Sequence, residues 1–343
     1  MSRTHIPWVR LIPMSCDTTG CPRQDSNLRS RLRRAVLYPL SYGGGSHLRA
    51  LGEISSSGAR SLNHPRGAGE RPAPRLAGMT PEQLRALLVG VVERAVRAGD
   101  LPEHALAGPP DGPLFRPTDL RAAGVVADWV TPVAQRWAPA LGLAPLALAR
   151  VLAQGLTLDR SVASVEVAPS GLLTITLEDT VRGAVIALVQ ARQDDYALEE
   201  SSPRPDQFAE TPGSRPPGDP VRVAQLAHAR LCRLVRTAEA AGVERRGSAR
   251  LDVLAHVTER HLLVAVADLP QRLHTHEGDP AQQLRAVTDL AVLADDWDHP
   301  VRPLAAGESV RPEHAARLAL ADTVRIVLRN GLARVGASAP ERM

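Results

Sequence analysis

Four arginines, Arg222, Arg230, Arg233 and Arg236, recur at spacings that put them on one stripe of a helix, and Arg325 and Arg329 stand one turn apart further on. A guanidinium is a planar fork of donors. It matches a phosphate bidentately and stacks on an unpaired base. Arginines on a single stripe therefore suit a polyanion, RNA above all. The ordinary alternative is a solvated face on which they pair with Glu239, Glu244 or Asp322. Aromatic residues make up only 3% of the chain, so any stacking on bases falls mainly to arginine.

Other chemistries are poorly provided for. The chain has no lysine: all 41 basic residues are arginine, so any reaction needing a lysine is excluded. His256 and His261 miss the H-E-x-x-H spacing of a zinc protease, and His274-Thr275-His276 beside Glu277-Gly278-Asp279 reads as a surface turn. Cys232 lies inside a helical pattern, away from either end, where nothing lowers a thiol's pKa. No P-loop, G-x-G-x-x-G or G-x-S-x-G motif is present. No catalytic residue, metal or cofactor is expected.

The elements that would carry the arginines are legible. Asp219 and Pro220 open a helix as cap and first-turn residue, with Val223, Ala224, Ala227, Leu231, Leu234 and Val235 on its apolar face. Further helices are expected over 251–267, 281–294 and from Pro312 to about Val335, ended by Gly336. Upstream, Thr80-Pro81-Glu82 starts a helix with Leu84, Leu87, Leu88, Val91, Val92 and Val96 at core spacing. A Pro- and Gly-rich loop over 107–120 follows, then helices over about 130–140 and after Pro145. Val162, Val165 and Val167 alternate, as do Leu173, Ile175 and Leu177, about the turn Pro169-Ser170-Gly171, which is a hairpin pattern. A helix over 180–191 closes an α+β module. Acidic and Pro-rich residues follow as a linker. The domains expected are thus a disordered leader, 1–78; an α+β module with a small antiparallel sheet, 79–192; a linker, 193–218; and an all-α bundle, 219–343.

The run from Asp219 to Arg230 and the run from Arg317 through Leu332 to Ala339-Pro340-Glu341-Arg342-Met343 resemble the C-terminal anticodon-binding (DALR) domain of arginyl-tRNA synthetases. That family writes "NPVxYVQYAHAR" and "RLALVxATxxVLxxGLxLLGxxAPERM". Gln225, Ala227, His228, Ala229 and Arg230 match the first motif; Leu226 stands where it has tyrosine, so any stacking by that ring is lost. Asn330-Gly331 matches the family's helix break. The resemblance implies tRNA binding by Arg222, Gln225, His228, Arg230, Arg233, Arg236, Arg325, Arg329, Arg342 and Met343, since the family's chain end lies near the anticodon stem-loop. Asp128-Trp129-Val130-Thr131 and Val165 to Leu177 resemble, less specifically, the same family's N-terminal additional domain, which implies contact with the tRNA elbow. The usual "GPGF" there has become Pro169-Ser170-Gly171-Leu172, and its central Asn is Thr174.

The same resemblance exposes what is missing. The "HIGH"-like turn has no counterpart: His5-Ile6 is followed by Pro7-Trp8. The "KMSKS"-like loop needs lysine. The two accessory modules already occupy the residues from Met79 onward. The reading is a non-catalytic tRNA-binding protein, preferring arginine tRNA. The alternative is a protein-interaction module that binds a synthetase or another protein. Arginine–tRNA ligation, with ATP, is a third reading that the sequence argues against.

Residues 1–78 hold 12 arginines against four acids, and the remainder 29 against 33, so the basic balance belongs to the leader and any RNA site must be a local patch. Asp25-Ser26-Asn27-Leu28 back-translates to a strand whose complement reads as the T-arm of a tRNA gene, and Leu37 to Tyr42 to a D-arm. The leader is therefore read as a frame running antisense through a tRNA gene, with translation starting at Met79; a genuine disordered extension is the other possibility. No apolar run is long enough to span a bilayer, and Cys16, Cys21 and Cys232 form no disulfide framework, so the expected place is the cytoplasm, with neither membrane nor DNA as partner.

Overall fold

The computed structural model describes residues 79–118, 127–198, 215–244 and 250–343. The leader, residues 119–126 of the expected loop and 199–214 of the expected linker lie outside the described residues. Helix α1 (Pro81–Ala98) opens with a reciprocal cap: Gln83 N–H donates to the Thr80 hydroxyl at 3.4 Å, and Thr80 N–H to Gln83 Oε1 at 2.8 Å. Its buried stripe is Leu84, Leu88, Val91, Val92 and Ala95.

The sheet has four antiparallel strands, in order β1-β2-β4-β3. The expected hairpin is β3 (Val162–Val167) and β4 (Leu173–Leu177), with Val165 opposite Ile175 and Val167 opposite Leu173. Gly171 turns it at φ 84, and a Cβ there would meet the Pro145 backbone at 3.0 Å, so glycine is required twice over. The other two strands, β1 (Arg116–Pro117) and β2 (Trp129–Thr131), were expected as loop and helix. Trp129 and Thr131 both point inward and pair with β4, a period of two too short to see in sequence; Pro132 then caps α2 (Val133–Leu141). Helix α3 (Pro145–Thr157) packs on β3 and α2 packs on α3, while α4 (Asp179–Arg192), expected to close the module, packs chiefly on helices of the C-terminal bundle.

The C-terminal bundle is α5 (Pro220–Ala240), α6 (Val257–Thr275), α7 (Pro280–Asp296) and α8 (Pro312–Arg334). Helix α6 departs from the expected 251–267. Leu251–Val253 is a separate 3-10 turn, and the helix runs through Pro270. His256 caps α6, with Nδ1 accepting Thr258 N–H at 3.3 Å and 3.0 Å from His299 Nε2. Helix α8 shows no break at Gly331, contrary to expectation. Glycine is needed there because α7 comes close: a Cβ would lie 2.8 Å from Val287 Cγ2.

Module and bundle belong to one compact unit. Helix α4 packs on α6 and α8. Asp128 is buried and receives both arms of Arg182, each at 2.9 Å, as well as Leu177 N–H at 2.7 Å and Arg260 of α6 at 3.2 Å. Residues 193–198 lie on the bundle: Asn330 Nδ2 donates to the carbonyls of Gln193 (2.8 Å) and Tyr196 (2.9 Å). A second ion pair, between the buried Glu259 and the partly exposed Arg317 at 2.7 Å, ties α6 to α8.

Candidate nucleic-acid interface

Helix α5 lies between α7 on one side and α8 with the segment Ser338–Met343 on the other, so the residues of its arginine stripe meet different surroundings. The two family-motif polar residues face inward. Gln225 Nε2 donates to the carbonyl and hydroxyl of Ser338, at 3.0 and 3.2 Å. His228 Nδ1 lies 2.9 Å from the carbonyl of Pro340. A carbonyl only accepts, so Nδ1 carries the proton and Nε2 faces the Cys232 sulfur at 3.7 Å. Burial lowers the His228 pKa, against the Pro340 carbonyl, which raises it; Arg325 and Arg329 lower it further. Burial likewise pushes the Cys232 thiol up, which keeps it protonated. Gln225 and His228 thus bind the chain to itself and fix the strap 338–343 along α5.

The arginines divide. Arg230 closes the C-terminal end of α7, donating to the carbonyls of Ala294 at 2.7 Å and Trp297 at 2.9 Å. Arg325 holds Asp322 at 2.7 and 3.0 Å, and Arg329 pairs with Asp194 of the segment after α4. Arg222 donates to the carbonyl of Arg215. Arg236 reaches Glu341 at 3.8 Å, an exposed pair that contributes little. Arg233 and Arg342 are exposed and make no such bond among the described residues.

The strap and α5 enclose a shallow groove of about 240 Å³, lined by Leu226, Ala229, Arg230, Arg233, Arg236, Glu341, Arg342 and Met343. Five residues expected from the sequence meet there: Arg230, Arg233, Arg236, Arg342 and Met343. Gln225 and His228 lie beneath it. Arg222, Arg325 and Arg329 are not among its lining residues. Sequence reasoning missed Glu341 as a site residue, although it stands inside the matched Ala339–Met343 motif; Leu226 was noted only for the ring it lacks. Its side chain is 45% exposed and that of Met343 46%, giving the groove apolar walls beneath an arginine rim.

Among the described residues no group of three or more His, Cys, Asp or Glu side chains is placed to hold a metal ion, and no single helix is long and apolar enough to cross a membrane.

Residues 224–343 match the DALR anticodon binding domain family. Over 134 residues the chain is 40% identical to an arginine–tRNA ligase of Clavibacter sepedonicus, covering 38% of this chain and 24% of that protein. Over 133 residues it is 39% identical to an arginine–tRNA ligase of Heliobacterium modesticaldum, covering 36% and 23%. The chain spans about a quarter of the length of these relatives. The residues lining the groove all fall within the stretch that matches the DALR anticodon binding domain family.

Proposed function

We propose that this chain is a non-catalytic tRNA-binding protein of the cytoplasm, that it grips the anticodon arm in the groove between α5 and the 338–343 strap, and that it prefers arginine tRNA. The observation that carries this reading is the groove itself: a depression of about 240 Å³ with apolar walls and guanidinium groups on its rim, built within the stretch that matches the DALR domain family. Phosphates along a hairpin would lie on Arg233, Arg236 and Arg342, and a splayed base between Leu226 and Met343. The matched ligases supply the preference for arginine tRNA. The absence of the "HIGH"-like and "KMSKS"-like signatures, and of lysine altogether, supports the lack of ligation. The test is binding of the full chain to a panel of tRNAs, with ATP–pyrophosphate exchange measured alongside. Equal, weak binding to all tRNAs overturns the specificity; arginine-dependent exchange overturns the non-catalytic reading.

A protein-interaction role for the same face is the second reading. The exposed Leu226 favours it, as does the engagement of Arg325 and Arg329 with carboxylates of the chain. Capture of a protein partner that survives RNase treatment distinguishes the two.

A further inference from the structure

We propose that Glu341 is a base-reading residue, accepting a hydrogen bond from the exocyclic amino group of an unpaired nucleobase in the groove. This rests on the tRNA-binding reading above. A groove that only collected phosphates would gain nothing from a carboxylate among Arg230, Arg233, Arg236 and Arg342, because the like charge repels the ligand. Yet Glu341 is set there from inside. The Gln225–Ser338 and His228–Pro340 hydrogen bonds fix the backbone directly before it. Buried bonds of that kind are what hold a recognition group in register.

The pair it makes with Arg236 leaves it available. The separation is 3.8 Å, and both side chains are open to solvent. Such a pair opens at little cost when a ligand competes for either member. A carboxylate only accepts, with two oxygens and about four lone-pair sites. Cytosine, adenine and guanine each bring an amino donor on an edge that is free in a single-stranded loop, whereas the corresponding positions of uracil are carbonyl acceptors. Glu341 would therefore favour an amino-bearing base over uracil, whose O4 it repels and whose N3–H is the one donor it can use, while Leu226 and Met343 contact the faces of the base.

The experiment measures binding of the full chain to a set of anticodon-arm RNA hairpins that differ by cytosine-to-uracil changes, one loop position at a time. Wild type is compared with Glu341→Ala and Glu341→Gln. At one loop position wild type should prefer cytosine by about 5- to 100-fold. Glu341→Ala should remove that preference, and Glu341→Gln, which carries both donor and acceptor, should reduce it. The salt dependence should be unchanged in both, since no phosphate contact is lost. The side chain is exposed, and equal thermal midpoints verify that the variants fold. A uniform rise in affinity for every hairpin in Glu341→Ala would show that Glu341 merely occupies Arg236, and overturns the proposal. So does a cytosine preference that survives the substitution. Failure of wild type to bind any hairpin or tRNA overturns the tRNA-binding reading itself, a result separable from either.

Discussion

The Tyr196 hydroxyl donates to the carbonyl of Val266 at 2.9 Å. Val266 lies four residues before Pro270, the one residue in the interior of α6 that has no N–H to offer it. The proline would otherwise leave a carbonyl without a partner in the buried part of the helix. Tyr196, 1% exposed and located just after α4, supplies the missing donor from another segment. That bond supports the uninterrupted course of α6 and adds to the Asn330 bonds that dock residues 193–198 on the bundle. Tyr196→Phe should cost about 1–3 kcal/mol, the penalty for an unpaired buried acceptor. Pro270→Ala restores an intrahelical donor. In the double variant the tyrosine substitution should therefore cost distinctly less, a coupling that urea unfolding of the four proteins measures. Additive effects would mean that the bond contributes nothing.

This pairing also explains where sequence reading stopped short. Helices α1, α5, α7 and α8 were legible because each joins a cap or first-turn proline to an apolar stripe of three turns or more. Helix α6 was legible over 257–267 but its bounds were not: it continues through Pro270, a residue that ordinarily stops a helix, and the donor that replaces the missing N–H lies 70 residues away in Tyr196. Strand β2 was hidden because three residues carry no visible alternation. In the groove, the stripe on α5 gave the right helix face, but periodicity treats its arginines as equivalent. Which of them is already engaged depends on what lies beside α5: the end of α7 for Arg230, the strap for Arg236, nothing among the described residues for Arg233. The partners of Gln225 and His228 lie more than a hundred residues on, and no local pattern announces that they hold a strap.

Asp128 joins the module to the bundle. It accepts two bonds from Arg182, one from Leu177 N–H and one from Arg260 of α6. Asp128→Ala takes from the buried Arg182 guanidinium its buried carboxylate and leaves it only the more exposed Asp179, and should destabilise the protein by up to about 3–5 kcal/mol. Arg260→Ala removes only the α6 contact from a more exposed partner and should cost far less. Unfolding midpoints of the two variants check the difference. Equal losses would mean that the link to α6, and not the buried pair, carries the stability.

The response to pH follows from two buried groups with opposite signs. Asp268 is 3% exposed, and burial raises its pKa from 3.8 to about 7, against Arg272, which lowers it. Between those values the folded chain holds a proton that the unfolded chain releases, so this group destabilises progressively as pH rises from 3.8 to about 7. Asp268→Asn should therefore stabilise at pH 8, by up to about 4 kcal/mol, and have little effect at pH 4. His228 acts in the other direction. Its folded pKa lies below the ordinary 6.5, so the unfolded chain takes up the proton first and stability falls as pH drops through 6.5. Thermal midpoints of wild type and Asp268→Asn across this range test the sign; a benefit that is the same at pH 4 and pH 8 would exclude titration as its origin.

The division among the arginines makes the sharpest prediction about binding. Arg233 and Arg342 line the groove and make no hydrogen bond or ion pair among the described residues, so each can meet a phosphate without first giving up an internal partner. Loss of either should weaken binding to every RNA and flatten the salt dependence by about one unit of slope. Neither should move the unfolding midpoint. Arg325 and Arg329 are different, because Asp322 and Asp194 already occupy them. Their replacement by alanine should leave the salt slope unchanged. Arg230→Ala falls between the two: it removes a groove residue and also uncovers the Ala294 and Trp297 carbonyls at the end of α7. Affinity and stability should therefore fall together. Binding isotherms at several salt concentrations, with an unfolding curve for each variant, separate the three classes. If Arg325→Ala and Arg329→Ala flatten the slope while Arg233→Ala does not, the RNA lies along α8 and the groove is not its site.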